Sequence, residues 1–498
     1  MPTSVAVIDI GSNSVRLVVY DALKRMPMVL LNEKVLCGMA RDIERTGHLH
    51  PEGRALAEHT LERFATLLEK LQARTVLAFA TAAVRDAKDG KDFLDFCRKR
   101  LDLKIRILSG EDEARYSALG LLGSFHHVHG VVGDLGGGSM ELVQVNTKQG
   151  KQTGDNALGK RISLPVGPLR LRDMAHNNRA TARTIVDTQL AKFDLGNTLK
   201  GKDFYAIGGG FRALAKVHIV RTRYPLNILH GYCVSPEELM PTVDMISRMT
   251  PARLRAMPSI SEGRVDTLSY TALVMERLLH LGKPRHIWFS VHGVREGTLY
   301  DRLPEEEKIQ DGLIASATGM ILTISPRAKG EWITFGKELA NWMQPLYRRE
   351  NPGIHRLRLA ACILSHLAWY EHTAYRAENA FRWVLDSPLP SITHSERVFL
   401  ALCLYHRYKS ELEFDDAVPA LALLDENMVY RAKVIGHALR LGYEIAGGAC
   451  GILPSVRMVL RHHTLCLETG TANRPLLGIG VEKRLSKLAS VLGYDYSL

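Results

Sequence analysis

Two segments of this 498-residue chain are near copies of each other: Asp9-Ile-Gly-Ser-Asn-Ser14 and Asp134-Leu-Gly-Gly-Gly-Ser139. Each follows an apolar run, Val5-Ala-Val-Ile8 or Gly130-Val-Val-Gly133, and each precedes another, Val15–Tyr20 or Met140–Val145. The repeated unit reads as strand, acidic residue, glycine-rich hairpin, strand. Glycine tolerates positive φ and carries no Cβ, so such a turn can press backbone N–H groups against an anion. The aspartate at the strand end suits a different task, holding a metal or a water beside that anion. Two such hairpins facing each other across a cleft would grip phosphate from both sides. Gly11, Ser12, Asn13 and Ser14 are the candidate binding groups of the first, and Gly136, Gly137, Gly138 and Ser139 of the second.

The rest of the first 303 residues alternates strand and helix. Pro51 opens a helix, Thr75–Ala80 reads as a strand, and Ser109 is a good N-cap for a helix from about Gly110 to Phe125. Strand Asp203–Gly208, a helix over Arg264–Leu281, strand His286–Ser290 and helix Val294–Leu303 follow. Two α/β lobes, each opened by the same hairpin, point to duplication with a cleft between them. After Pro304 the texture becomes helical, with apolar residues at helical spacing over Leu357–Trp369, Val398–Tyr408 and Tyr430–Leu441. The expected division is lobe I over 1–124, lobe II over 125–303 and a helical domain over 304–498.

Charge follows the same division. Residues 1–300 hold 42 Lys and Arg against 31 Asp and Glu, a net +11, whereas residues 301–498 hold 23 against 22. A positive field on the hairpin-bearing part would steer a polyanion into the cleft, although charge alone fits a solvated basic surface equally well. Nucleic acid is also a polyanion, but no zinc knuckle, helix-turn-helix or aromatic stacking signature is present. The seven cysteines are scattered and never spaced C-x-x-C, which speaks against a disulfide framework or a zinc site. No apolar stretch approaches membrane-spanning length, and a strand begins almost at the first residue, so cytoplasmic residence is expected.

Further motifs lie at strand ends. Arg85, in Thr81-Ala-Ala-Val-Arg85, is suited to a bidentate phosphate clamp or to a surface ion pair. Asp134 and Glu141 lie on the second hairpin and its outgoing strand and offer the hard oxygen ligands that Mg²⁺ prefers. Gly208 and Gly209 open a third glycine-rich strand-to-helix turn, a place for a further phosphate but without Rossmann spacing. In Ser109-Gly-Glu-Asp-Glu-Ala-Arg115 the acids of a first helical turn complement the macrodipole, and spacing alone favours that reading. His366, His394 and His406 read as core or capping residues, since no His-Asp doublet occurs.

Taken in order, these segments resemble the exopolyphosphatase/guanosine pentaphosphate phosphatase family, of the actin-like sugar kinase and Hsp70 superfamily. The segments are Asp9–Ser14, Ala80–Ala87, Ser109–Arg115, Asp134–Leu142, Leu164–Leu171 and Gly293–Leu299. The resemblance implies two actin-like, ribonuclease H-like α/β lobes with an interlobe cleft, followed by an all-α HD-like domain. It turns Glu113, which precedes Ala-Arg, into the catalytic base that deprotonates the attacking water. Asp134 and Glu141 fall on the family's metal-associated positions, Arg85 on its phosphate-binding arginine, and Arg264 on a basic position of the second lobe. The chain departs from its relatives at Gly208-Gly-Gly-Phe-Arg-Ala213 and after Asp266, both where actin-like proteins bind adenosine.

The function so implied is Mg²⁺-dependent release of terminal orthophosphate from inorganic polyphosphate. The alternatives are hydrolysis of guanosine pentaphosphate to the tetraphosphate at the same site, a kinase or ATPase of the wider superfamily, and a non-catalytic sensor of polyphosphate or alarmone. The resemblance also implies a homodimer formed through the helical region; neither specific nucleic acid nor membrane is an expected partner.

Overall fold

The apolar residues of the first strand divide by parity between two cores. Val5 and Val7 face one and Ala6, Ile8 and Ile10 the other, the period-2 alternation of a sheet covered on both sides. In this computed structural model, which describes residues 4–147, 154–324, 330–347 and 349–498, the chain forms two compact units, Met1–Gln310 and Asp311–Leu498.

The first unit contains two sheets of matching topology. Strands β1 (Val5–Ile10), β2 (Ser14–Tyr20), β3 (Val29–Leu36), β4 (Thr75–Ala80) and β5 (Ile105–Ile107) lie in the order β3-β2-β1-β4-β5. Strands β6 (His129–Leu135), β7 (Met140–Asn146), β8 (Leu158–Leu164), β9 (Asp203–Ile207), β10 (Tyr232–Val234) and β11 (Ile287–Phe289) lie in the order β10-β11-β9-β6-β7-β8. In each sheet a three-stranded antiparallel meander runs into parallel strands: β1 pairs β4 as β6 pairs β9. The duplication inferred from the hairpins thus extends through each sheet.

A shared core joins the lobes. Val5, Val7 and Phe79 from the first sheet and Val132, Val143 and Val145 from the second meet helices Gly110–Leu122 and Val294–Asp301 there. The two helices cross with almost no side chain between them. A Cβ on Gly297 would lie 1.8 Å from the Tyr116 carbonyl oxygen, a separation only glycine permits. This crossing fixes Glu113 on one helix relative to Arg295 and Glu296 on the other.

The break between the units falls after Gln310, beyond the expected boundary at Pro304. The short helix Glu305–Lys308 packs on the first unit, where Glu307 accepts from the Arg25 backbone N–H at 3.0 Å and Tyr300 Oη donates to the Lys308 carbonyl at 3.4 Å.

The second unit is mainly helical, with Pro352–Leu364, His394–Tyr408 and Glu426–Ala446 contributing a buried face of Leu357, Phe399, Leu402, Ile435 and Leu439. It also carries a sheet that the expectation of an all-helical domain omits: β12 (Val456–Arg461), β13 (Thr464–Thr469) and β14 (Asp495–Ser497). The β12–β13 hairpin turns on His462 and His463, both at positive φ, where asparagine and glycine are the usual signals. The turn is therefore silent in the sequence. Among the described residues no helix is long and apolar enough to cross a membrane.

Candidate active site

The two hairpins have the same internal geometry. Gly11 N–H donates to the Ser14 carbonyl at 2.9 Å, and Gly136 N–H donates to the Ser139 carbonyl at 2.9 Å. Register places Asp9 opposite Arg16 in the first and Asp134 opposite Glu141 in the second. The turns face one another: a Cβ on Gly137 would lie 3.2 Å from the Ser12 Cβ. None of Gly11, Gly136, Gly137 and Gly138 has positive φ, so the hairpin glycines serve close approach, and positive φ belongs to Gly208 at 102° in the third turn. Among the described residues the amides of Ser12, Asn13, Gly137 and Gly138 donate to no protein acceptor, and all four residues line the cleft. Free N–H groups of hairpin turns are suited to cradling an anion. Ser139 is buried, and its side chain works against the burial that raises the Glu141 carboxyl.

Glu113, Asp134 and Glu141 meet on the acidic side. Glu113 stands in the first turn of Gly110–Leu122, whose start is fixed by a capping box between Ser109 and Asp112. The residue is only 7 % exposed, and Oε1 accepts from Arg85 Nη1 at 2.6 Å. Burial and then the Glu141 charge push the Glu113 carboxyl well above the usual carboxylate range, with Arg85 opposing them. Glu141 is raised by burial and by Asp134, and accepts from Ser163 Oγ at 2.7 Å. Asp134, raised by burial, accepts from Ser117 Oγ. Among the described residues no three His, Cys, Asp or Glu side chains form a ready metal cage.

Facing the acids is a basic wall that no motif in the sequence marks beyond Arg264. Register pairs Arg16 on β2 with Lys34 on β3. Arg212 on helix Gly209–Thr222 donates to the Val291 carbonyl at 3.1 Å, and Arg264 packs over Gly209. Arg295 approaches Asp9 at 3.8 Å and Glu296 at 3.7 Å, leaving its buried Nη1 without a partner. Burial and then neighbouring guanidinium groups pull Arg16 down to about 10 and Lys34 to about 8. Crowded, partly desolvated cations of this kind concentrate positive potential for an anionic ligand.

Of the expected site residues, Gly11, Ser12, Asn13, Ser14, Glu113, Asp134, Gly136, Gly137, Gly138, Ser139, Glu141, Gly208, Gly209 and Arg264 line one cleft. Arg85 stands behind it, donating from Nη1 to Glu113 and to the Leu108 carbonyl and from Nε to Asp86. His366, His394 and His406 are buried in the second unit.

A duplicated sheet topology with paired glycine-rich hairpins and an acid at each strand end defines a two-lobed, actin-like fold. A sequence profile of the Ppx/GppA phosphatase family matches residues 18–306, and one described as "Exopolyphosphatase, C-terminal" matches residues 334–498. The chain belongs to the Ppx/GppA phosphatase family. It is 26 % identical over 342 residues to retrograde regulation protein 2 of Saccharomyces cerevisiae, covering 62 % of this chain and 57 % of the yeast protein. It is 26 % identical over 322 residues to exopolyphosphatase 1 of Mycobacterium tuberculosis, covering 60 % of this chain and 88 % of that one. A crystal structure of an exopolyphosphatase from Cytophaga hutchinsonii superposes with a TM-score of 0.55 at 23 % identity, over 60 % of this chain and 99 % of that one.

Proposed function

We propose that this protein hydrolyses the terminal phosphoanhydride bond of inorganic polyphosphate, releasing orthophosphate. The observation that carries this reading is Glu113: a buried carboxylate, fixed by Arg85 through one oxygen, in a cleft also lined by four free hairpin amides. The second oxygen of Glu113 orients a water and takes its proton. The water oxygen forms the new bond to the terminal phosphorus, and the bridging P–O bond breaks with its electron pair leaving on the shortened chain. Ser12, Asn13, Gly137 and Gly138 N–H groups hold the transferring oxygens, and Arg16, Lys34, Arg212, Arg264 and Arg295 neutralise the leaving chain. Positioning and electrostatics of this sort are what phosphoryl transfer chiefly requires.

Asp134 and Glu141 fit a divalent, oxygen-loving ion. Glu141 is buried and Asp134 half-buried; burial raises both carboxyls and the Asp134 charge raises Glu141 further, a cost that a bound cation would relieve. Two carboxylates without a full cage suit Mg²⁺, which keeps waters and takes substrate oxygens. Bound there, it would supply charge neutralisation on the phosphate.

The composition of the cleft favours polyphosphate over guanosine pentaphosphate. Five cationic side chains line it, and among the described residues Phe79 is its single aromatic ring, which leaves little to stack on a purine. The test compares orthophosphate release from long-chain polyphosphate and from guanosine pentaphosphate, with Mg²⁺ and with chelator. Faster metal-dependent release from polyphosphate supports the reading. A strong preference for the nucleotide assigns the site to the alarmone, and tight polyphosphate binding without release assigns it to a sensor.

A further inference from the structure

In the second unit, two guanidinium groups and further hydrogen-bond donors gather around a set of aromatic rings, and Arg407 has the Tyr443 side chain but no carboxylate as its partner among the described residues. Arg407 is 7 % exposed, and its Cζ lies 3.6 Å from the ring centroid of Tyr443, 4.6 Å from Tyr408 and 5.9 Å from Trp369. Arg376 faces two of the same rings, Trp369 at 5.2 Å and Tyr408 at 5.5 Å. Arg376 donates from Nε and Nη2 to a neutral acceptor, the Glu371 carbonyl, at 3.3 and 3.0 Å. Nε and Nη2 of Arg407 are buried with no hydrogen-bond partner among the described residues. His366, 1 % exposed, stacks on Trp332 with centroids 3.5 Å apart and also borders Trp369 at 5.9 Å. Both ring nitrogens of His366 and the indole Nε1 of Trp332 are likewise buried and have no hydrogen-bond partner among the described residues.

Acceptors are scarce here. Neither guanidinium makes an ion pair among the described residues. The carboxylate of Glu371 is committed to Asn379 and to Trp383 Nε1. Two like charges sharing the same rings repel each other, and a buried guanidinium without a counter-ion is expensive to keep. Nε and Nη2 form the side of the guanidinium fork that takes two oxygens of one carboxylate or phosphate. Burial holds His366 neutral, down to about 4, so at neutral pH it presents one N–H donor and no competing charge.

We propose that the second unit binds a small oxyanion, a phosphate or a carboxylate, with the free Nε–Nη2 edge of Arg407 as its bidentate ligand and His366 as a neutral donor. Arg376 adds charge from across the shared rings, and Trp332 and Trp369 wall the site. The site lies within one unit and does not depend on the hydrolytic reading of the cleft.

Trp332 and Trp369 make the site self-reporting. Intrinsic fluorescence of the full chain is titrated with sodium phosphate and, separately, with sodium acetate, with chloride holding ionic strength constant. A saturable change is expected with at least one of them, and the one that acts distinguishes phosphate from carboxylate. Arg407→Met weakens that response at least about tenfold, the scale of a charge-assisted contact, and His366→Phe, which keeps the ring stack, weakens it several-fold. Arg264→Ala, in the cleft of the first unit, leaves it unchanged. Melting without added anion controls for folding, and Arg407→Met melts no lower than wild type because it removes an uncompensated charge. The proposal is overturned if neither anion gives a saturable change, so that water alone serves these groups, or if Arg407→Met titrates as wild type. A lower melting point in Arg407→Met together with an unchanged response in His366→Phe overturns it equally.

Discussion

Arg85 reaches Glu113 Oε1 and the Leu108 carbonyl with the same nitrogen, at 2.6 and 2.9 Å, and holds Asp86 with Nε at 3.1 Å. It sets the base in place and works against the burial and the Glu141 charge that raise the Glu113 carboxyl. Arg85→Met is therefore expected to lower kcat by about 10- to 100-fold, the range for a mispositioned general base, with KM for polyphosphate little changed. It also removes a cation that stabilises the carboxylate. A raised pKa means the base is protonated below it and active above it, so the acid limb of kcat/KM moves to higher pH in Arg85→Met than in the wild type. Steady-state rates across pH check both points, and a KM effect alone would return Arg85 to the role of phosphate clamp. The sequence made Arg85 and Glu113 visible one at a time, each at a strand end. Their pairing was hidden because it depends on where the helix Ala82–Asp86 ends relative to the Ser109 cap.

The helix crossing shows the same limit for whole elements. Both helices were evident from apolar spacing and the Ser109 cap, as were the hairpins from their duplication and strand Thr75–Ala80 from its composition. Their contact through Gly120 and Gly297 was not, since a glycine in a helix gives no sign of what it touches. A Cβ on Gly297 would meet the Tyr116 backbone, which cannot yield as a flexible side chain does. Gly297→Ala should separate the helices, cost about 1–3 kcal/mol in denaturant unfolding, and lower kcat by displacing Glu113 from Arg295 and Glu296. The basic wall was hidden for a related reason. Arg16, Lys34, Arg212 and Arg295 come from two strands and two helices, and only sheet register brings Arg16 beside Lys34. The β12–β13 hairpin was missed because His462 and His463 supply a conformation their residue type rarely signals.

Across the chain, charge and histidine chemistry separate the two units. The net +11 of residues 1–300 predicts that kcat/KM for polyphosphate falls as salt rises, because screening weakens steering of a polyanion. In the second unit burial holds His366 and His406 down to about 4 and His437 to about 3. These groups bind protons in the unfolded chain near the ordinary histidine value but stay neutral in the folded one. Their contribution is intact above about pH 6.5 and is lost as pH falls from there toward 4, by up to about 1.4 kcal/mol per pH unit for each group. Denaturant midpoints of the second unit's transition should decline over that window, and His437→Phe should flatten the decline. If Glu113 is the base, orthophosphate release from long-chain polyphosphate by wild type and by Glu113→Gln, with binding measured alongside, will separate turnover from binding. Rapid metal-dependent release by the wild type is expected, with a loss of at least about 100-fold in the variant and retained binding in both. Near-wild-type release by Glu113→Gln would contradict that role.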